Sequence, residues 1–256
     1  MLNGHRIASS KLIVYAALAG ILVVAPAQAG GPSNPGIAPP QSHPHGRSYA
    51  EWSALWWQWA YSMPVTASPL FDSADLSAGQ SGRVWFLGGT LEANPDPDDP
   101  TVSIGEANRS GSIPAGTALF FPILNVEASV LEGNGSTPNE LADTARYLMD
   151  HAIVMEASID GQAVRHLRAY RTMSQPFVFG PLPEENVIEE VFGIPAPAGT
   201  TSLAVADGAY LFVHPLPPGE HTIHWGGAFV FTQAEDGFDF TLLLDVNYTI
   251  TVTPRR

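Results

Sequence analysis

The stretch Ser48 to Pro64, S-Y-A-E-W-S-A-L-W-W-Q-W-A-Y-S-M-P, holds four of the six tryptophans of this 256-residue chain and constrains its fold more than any other segment. Its ends carry helix punctuation. Ser48 followed three residues later by Glu51 fits a capping box, and Pro64 stops continuation past Ser62. Trp52, Trp56 and Trp59 recur at helical spacing and share one face with Leu55 beside them, while Trp57 and Tyr61 form an i, i+4 pair on another. A surface helix needs only one apolar stripe. A helix aromatic on two sides either plugs between layers, which is the usual fate of such stripes, or lends its second face to a ligand.

The chain begins with a targeting pattern. Arg6 and Lys11 form a positive region, Leu12 to Val24 an apolar run, and Ala27-Gln28-Ala29 a small-x-small cleavage site, so residues 1–29 read as a signal peptide and the mature protein as secreted or periplasmic. No later apolar run is long enough to span a bilayer. Cleavage would remove two basic residues, including the only lysine, and no acids, making the formal charge of −14 more negative by two. That balance disfavours nucleic acid and anionic membranes as partners and favours solubility. The absence of cysteine excludes disulfides, thiol catalysis and cysteine-ligated metals.

Residues 30–46 read as a Pro/Gly-rich arm in which His43-Pro-His45 is a weak metal signal, and residues 47–256 as one β-sandwich domain. Arg83 to Gly88 is the first strand. The acidic run Glu92 to Glu106 reads as a loop whose Asn94-Pro-Asp96-Pro-Asp98-Asp99 invites calcium, but Asp99 stands where an EF-hand needs glycine and Gly105 where it needs glutamate. Ala118 to Asn125 is a continuous apolar strand of the kind buried on both faces, ending in Asn125 and Glu127. Asn139 to His151 is a second, ordinary helix. Asp160-Gly161, Asp207-Gly208 and Asp236-Gly237 carry hairpin-turn chemistry, which points to an antiparallel, mainly β sandwich, immunoglobulin-like or jelly-roll-like, with one Trp-rich helix and one further short helix. Gly180 to Gly199, rich in proline and glycine, is expected as a long surface loop.

Ala209 to His214 and His221 to Trp225 flank Pro217-Pro-Gly-Glu220 and are expected to pair as a hairpin with His214 opposite Ile223. In that register His214 and His221 are diagonal neighbours and form the candidate transition-metal pair, whereas His224 points away.

The residues Tyr49-Ala-Glu-Trp52 with Trp56-Trp-Gln-Trp59, Val84-Trp-Phe-Leu87, Pro114-Ala-Gly116, Phe120-Phe-Pro-Ile-Leu-Asn125 and Pro215-Leu-Pro-Pro-Gly-Glu-His221-Thr-Ile together resemble a family of uncharacterised secreted bacterial proteins with a WxxxWWQW helix motif. The resemblance covers most of the mature chain. It implies export and a shared fold and supplies no catalytic residue. Members of that family often carry cysteines after the helix, so their absence here implies that a disulfide there is dispensable. The Pro215 to Ile223 segment also resembles the closing hairpin of immunoglobulin-like secreted modules, a likeness of fold alone.

Three functions follow as expectations. The first is a secreted ligand-binding or structural module, taking a glycan or small amphipathic molecule on Trp56, Trp57, Gln58, Tyr61, Asn125 and Trp225, because flat rings stack on sugar faces while amides orient hydroxyls. The second is an exported hydrolase or lyase with Glu127 as base, His221 as acid/base or metal ligand and Arg171 as electrophilic orienter; no G-x-S-x-G, H-E-x-x-H or P-loop motif is present. The third is a metal protein, with calcium at the acidic loop or a transition metal on His214 and His221.

Overall fold

The computed structural model describes residues 34, 36–72 and 75–254, so the expected signal peptide at residues 1–29, the start of the expected arm and the terminal Arg255 and Arg256 lie outside the described residues. Ser48 begins α1 (Tyr49–Ala60), and the expected capping box is present: Ser48 Oγ accepts from the Glu51 amide while the Glu51 carboxylate accepts from the Ser48 amide. The strands that follow are β1 (Val84–Phe86), β2 (Ala93–Pro95), β3 (Val102–Pro114) and β4 (Ala118–Ser129). Then come α2 (Pro138–Asp150), β5 (Ala152–Ile159), β6 (Gln162–Ala163), β7 (Arg171–Met173), β8 (Phe177–Phe179), α3 (Val187–Glu190), β9 (Ser202–Val213), β10 (Gly219–Phe231) and β11 (Phe240–Thr253).

The strands form two sheets that pack as a sandwich. Sheet one runs β1-β4-β9-β7, with β8 also on β9; sheet two runs β2-β3-β11-β10-β5-β6. Most pairs are antiparallel, but β1–β4 and β3–β11 are parallel. In β11 the alternation of Val246, Tyr248, Ile250 and Val252 inward with threonines outward shows a sheet with one wet face. Sheet one is different. Residues 118–124 of β4 and 204–213 of β9 are buried throughout, because sheet two covers one face and α1 the other. Phe121 stacks on Trp225 of sheet two, at 4.5 Å between ring centroids, while Phe120 faces Trp52 and Tyr49 of α1. A register shift between Pro122 and Leu124 bends β4. Beyond it Val126 and Ala128 meet Leu141 and Ala145 of α2, and Asn125 and Glu127 turn toward α1.

Helix α1 is thus the outer layer, and its polar ring atoms tie it to irregular chain. The indoles of Trp52, Trp56 and Trp59 donate to the carbonyls of Pro44, Leu87 and Ala78, and the Tyr49 hydroxyl donates to Ala38 while accepting from the Phe212 amide. The arm is anchored by the same logic: Ile37 bridges Val213 at the edge of sheet one.

Four local expectations are corrected. Asp207-Gly208 lies inside β9 and makes no turn; Gly208 is there because a Cβ would come within 2.6 Å of the Asn125 side chain. The acidic segment ends earlier than expected, since β3 begins at Val102 and Asp96 and Asp99 cap the β2–β3 turn by accepting from the Asp98 and Thr101 amides. The Gly180 to Gly199 stretch contains α3 and buries Leu182, Asn186, Val187 and Ile188, so it is part of the packing. Finally, β9 and β10 do not pair. They belong to different sheets, and the Pro215–Pro218 segment carries the chain across the sandwich.

Candidate functional site

That crossing separates the histidines. His221 faces Ile250 of β11, with Nδ1 2.8 Å from Asp160 Oδ2 and Nε2 2.9 Å from the Pro217 carbonyl. Both ring nitrogens are engaged, and His214 sits at the end of β9 in the other sheet, so the His214–His221 metal pair is not formed. Burial disfavours protonation of His221, but Asp160 and the Pro217 carbonyl outweigh it and raise its pKa above the ordinary 6.5. Among the described residues one group of three metal-capable side chains converges, His151, Glu235 and Asp236. Asp236 is saturated there, accepting from His151 and Tyr147 on one oxygen and from the Thr232 amide on the other.

The expected aromatic surface is not a surface. Trp56 and Trp225 are each 1% exposed and Tyr61 2%. Trp225 lies between Phe121 and Tyr248 in the inter-sheet core, far from the helix tryptophans in the layer order. Gln58 is half-buried and its amide donates to the Val178 carbonyl. Arg171 lies on the α2 side of sheet one, clamping buried Asp207 through Nε and Nη2 and Asp150 through Nη1. Glu127, Arg171 and His221 therefore share no contact and do not assemble a catalytic site.

Four expected residues do come together. Trp57 and Tyr61 of α1 face Asn125 and Glu127 of β4, with Tyr210 of β9 beside them, in a polar seam between helix and sheet. Trp57 Nε1, Asn125 Nδ2, Glu127 Oε1 and the Tyr210 hydroxyl are all buried there without a hydrogen-bond partner. Three of them stand together, the Trp57 indole and the Asn125 amide beside the Tyr210 hydroxyl, so the seam is a cluster of buried polar groups gathered around one oxygen. Burial raises the Tyr210 pKa, and the nearby Asn125 and Trp57 side chains only partly oppose this. Glu127 is held well above the ordinary carboxyl range, first by burial and then by the neighbouring Glu132.

A second place was not visible in the sequence. A cleft of about 190 Å³ opens between residues 69–72 and 75–80, residues 86–88 and the free edge of β3, walled by Trp59, Phe71, Phe86 and Tyr248. Arg109 of β3 lines it. Its Nε donates to Asp72 at 3.0 Å and its Nη1 to the Gly88 and Gly89 carbonyls and the Tyr248 hydroxyl, while Nη2 is enclosed with no acceptor. An isolated arginine on a strand gives no sequence signal, because its cleft is made by chain from 20 to 139 positions away.

No protein-family model matches the chain, and no curated protein sequence matches it. Among solved structures it is similar to the cysteine protease inhibitor EhICP2 from Entamoeba histolytica, at 12% identity over 60% of this chain and 99% of that one, with a TM-score of 0.19. It is also similar to PbICP-C in complex with falcipain-2, at 10% identity over 68% of this chain and 100% of that one, with a TM-score of 0.20. Likenesses with TM-scores this low carry no argument.

Proposed function

We propose that this is an exported β-sandwich that binds a small, neutral, hydroxyl-rich ligand such as a saccharide end in the cleft beside Arg109. The observation that carries the proposal is the hydrogen-bonding capacity the cleft leaves unused. Gln80 is spent on the Leu76 and Phe86 backbone, the Trp59 indole on Ala78, and the Tyr248 hydroxyl on Gly88 and Arg109. What remains open is the half-exposed Asp72 and exposed Asp75 as acceptors, and the exposed Asn108 and Ser110 side chains as donors and acceptors, all beside aromatic walls. Mixed donors and acceptors against flat rings suit a sugar, whose C–H face stacks while its hydroxyls need partners of both kinds. An anion is disfavoured, since Asp72 already meets the Arg109 charge and Asp75 adds a negative one.

The test is a two-dimensional NMR screen of the mature protein against neutral mono- and oligosaccharides, with Ser110→Tyr as a cleft-filling variant. Binding that perturbs the Trp59 indole signal and disappears in the variant supports the proposal. No binding across the panel, or binding that persists unchanged in Ser110→Tyr, refutes it.

A further inference from the structure

The polar seam ends in two carboxyl groups that the fold forces together. Glu127 reaches from β4 toward α1, is 8% exposed, and accepts from the Tyr61 hydroxyl on Oε2 at 3.3 Å. Its Oε1 is enclosed without a hydrogen-bond partner, since the Ser129 hydroxyl beside it is spent on Glu132. Glu132 comes from the turn after β4, where its carboxylate accepts from Ser129 Oγ at 2.5 Å and stands against Glu127. Two ionised carboxylates this close in an enclosed site repel, and neither burial nor the hydroxyls of Tyr61 and Ser129 offers a cation to compensate. One proton resolves both difficulties. Placed on Glu127 Oε1 it removes one charge and gives the orphaned oxygen a role as donor to Glu132.

We propose that Glu127 and Glu132 form a proton-operated clasp that closes the seam between α1 and sheet one. With the proton in place, Glu132 is held beside Glu127, and with it the turn at residues 130–136, which β9 and α2 also bind through Val130, Leu131 and Asn134. Without it, Glu132, the less buried of the two, turns to water and takes that turn with it, which opens the Trp57, Asn125 and Tyr210 groups to solvent. The titratable groups facing the pair are few. Tyr61 from α1 is itself held neutral by burial and by the two carboxylates. Asp207 and Arg171 lie across sheet one, on the α2 side. Ser129 contributes only a hydroxyl, and its amide is taken by Asn134.

The experiment follows hydrogen exchange in residues 130–136 and near-ultraviolet circular dichroism of the tryptophans from about pH 5 to about pH 9, above the ordinary glutamate range, in the wild type, Glu127→Gln and Glu132→Gln. The expected result is a reversible one-proton transition in the wild type, with lower protection of the turn amides, relative to intrinsic exchange at each pH, on its alkaline side. It vanishes in Glu127→Gln and moves to lower pH by about one unit or more in Glu132→Gln, where the like charge is gone. Should Glu127→Gln fail to fold, the shift in Glu132→Gln decides alone. A wild type without a transition, or a transition unchanged in Glu132→Gln, overturns the clasp. So does stabilisation by millimolar calcium that depends on both glutamates, which would make the pair a cation site.

Discussion

Replacing Trp56 by Phe tests whether α1 is a plug held by its ring nitrogens or a platform for ligands. The indole is 1% exposed, touches Trp57 and Trp59 edge-on, and donates to the Leu87 carbonyl at 2.9 Å. Phenylalanine keeps an aromatic ring on the same face but cannot donate. It leaves the carbonyl of fully buried Leu87 unsatisfied, at about 1–3 kcal/mol, and removes part of a ring from a packed site, at about 1 kcal/mol or more. The total is about 3 kcal/mol, a large fraction of the ~5–15 kcal/mol by which domains are stable. For a chain of this size that lowers the melting temperature by roughly 6–12 °C. The assay is equilibrium unfolding in urea and by heat, with Gln58→Ala as the control, whose single amide hydrogen bond to Val178 is worth about 1 kcal/mol. A loss below about 1 kcal/mol for Trp56→Phe, coupled to weakened ligand binding, would refute the plug and restore the helix as a recognition surface.

Two further outcomes follow from pairs that the fold creates. Arg171→Met strands the buried Asp207 carboxylate; breaking such a pair costs roughly 3–5 kcal/mol, less here because the arginine is partly exposed, and urea unfolding measures it. For His221, whose pKa is raised in the fold, the associated stability is present below the ordinary histidine value of 6.5 and is lost as pH rises through the raised one. Asp160→Asn removes the partner and should flatten the decline of urea stability above that value; an unchanged slope would show that the Pro217 carbonyl alone holds the ring.

Helix α1, its capping box and its two aromatic faces were legible because a helix announces itself locally, in cap residues and in a 3.6-residue period. Strand β4 was legible for a related reason, a run with no polar position between Ala118 and Leu124. What sequence could not show was pairing across distance. The Pro215–Pro218 segment has the composition of a tight hairpin, yet β9 and β10 go to different sheets, so His214 and His221 are not ladder neighbours and His221 is engaged by Asp160 and Pro217 instead. Asp207-Gly208 has turn chemistry, but in β9 the aspartate answers Arg171 and the glycine makes room for Asn125. The seam was half visible, since Trp57, Tyr61, Asn125 and Glu127 each stood out; Tyr210 and Glu132 joined it only through the strand register and the turn after β4. The Arg109 cleft was invisible, as its walls come from four separate stretches of chain.

The central claim is that the cleft beside Arg109 recognises a neutral, hydroxyl-rich ligand. Isothermal titration of the mature protein with a neutral sugar and with its matched uronate tests it most directly. Saturable binding of the neutral sugar, with the uronate weaker, is the predicted result. Tighter binding of the uronate, or heat from neither, would contradict it.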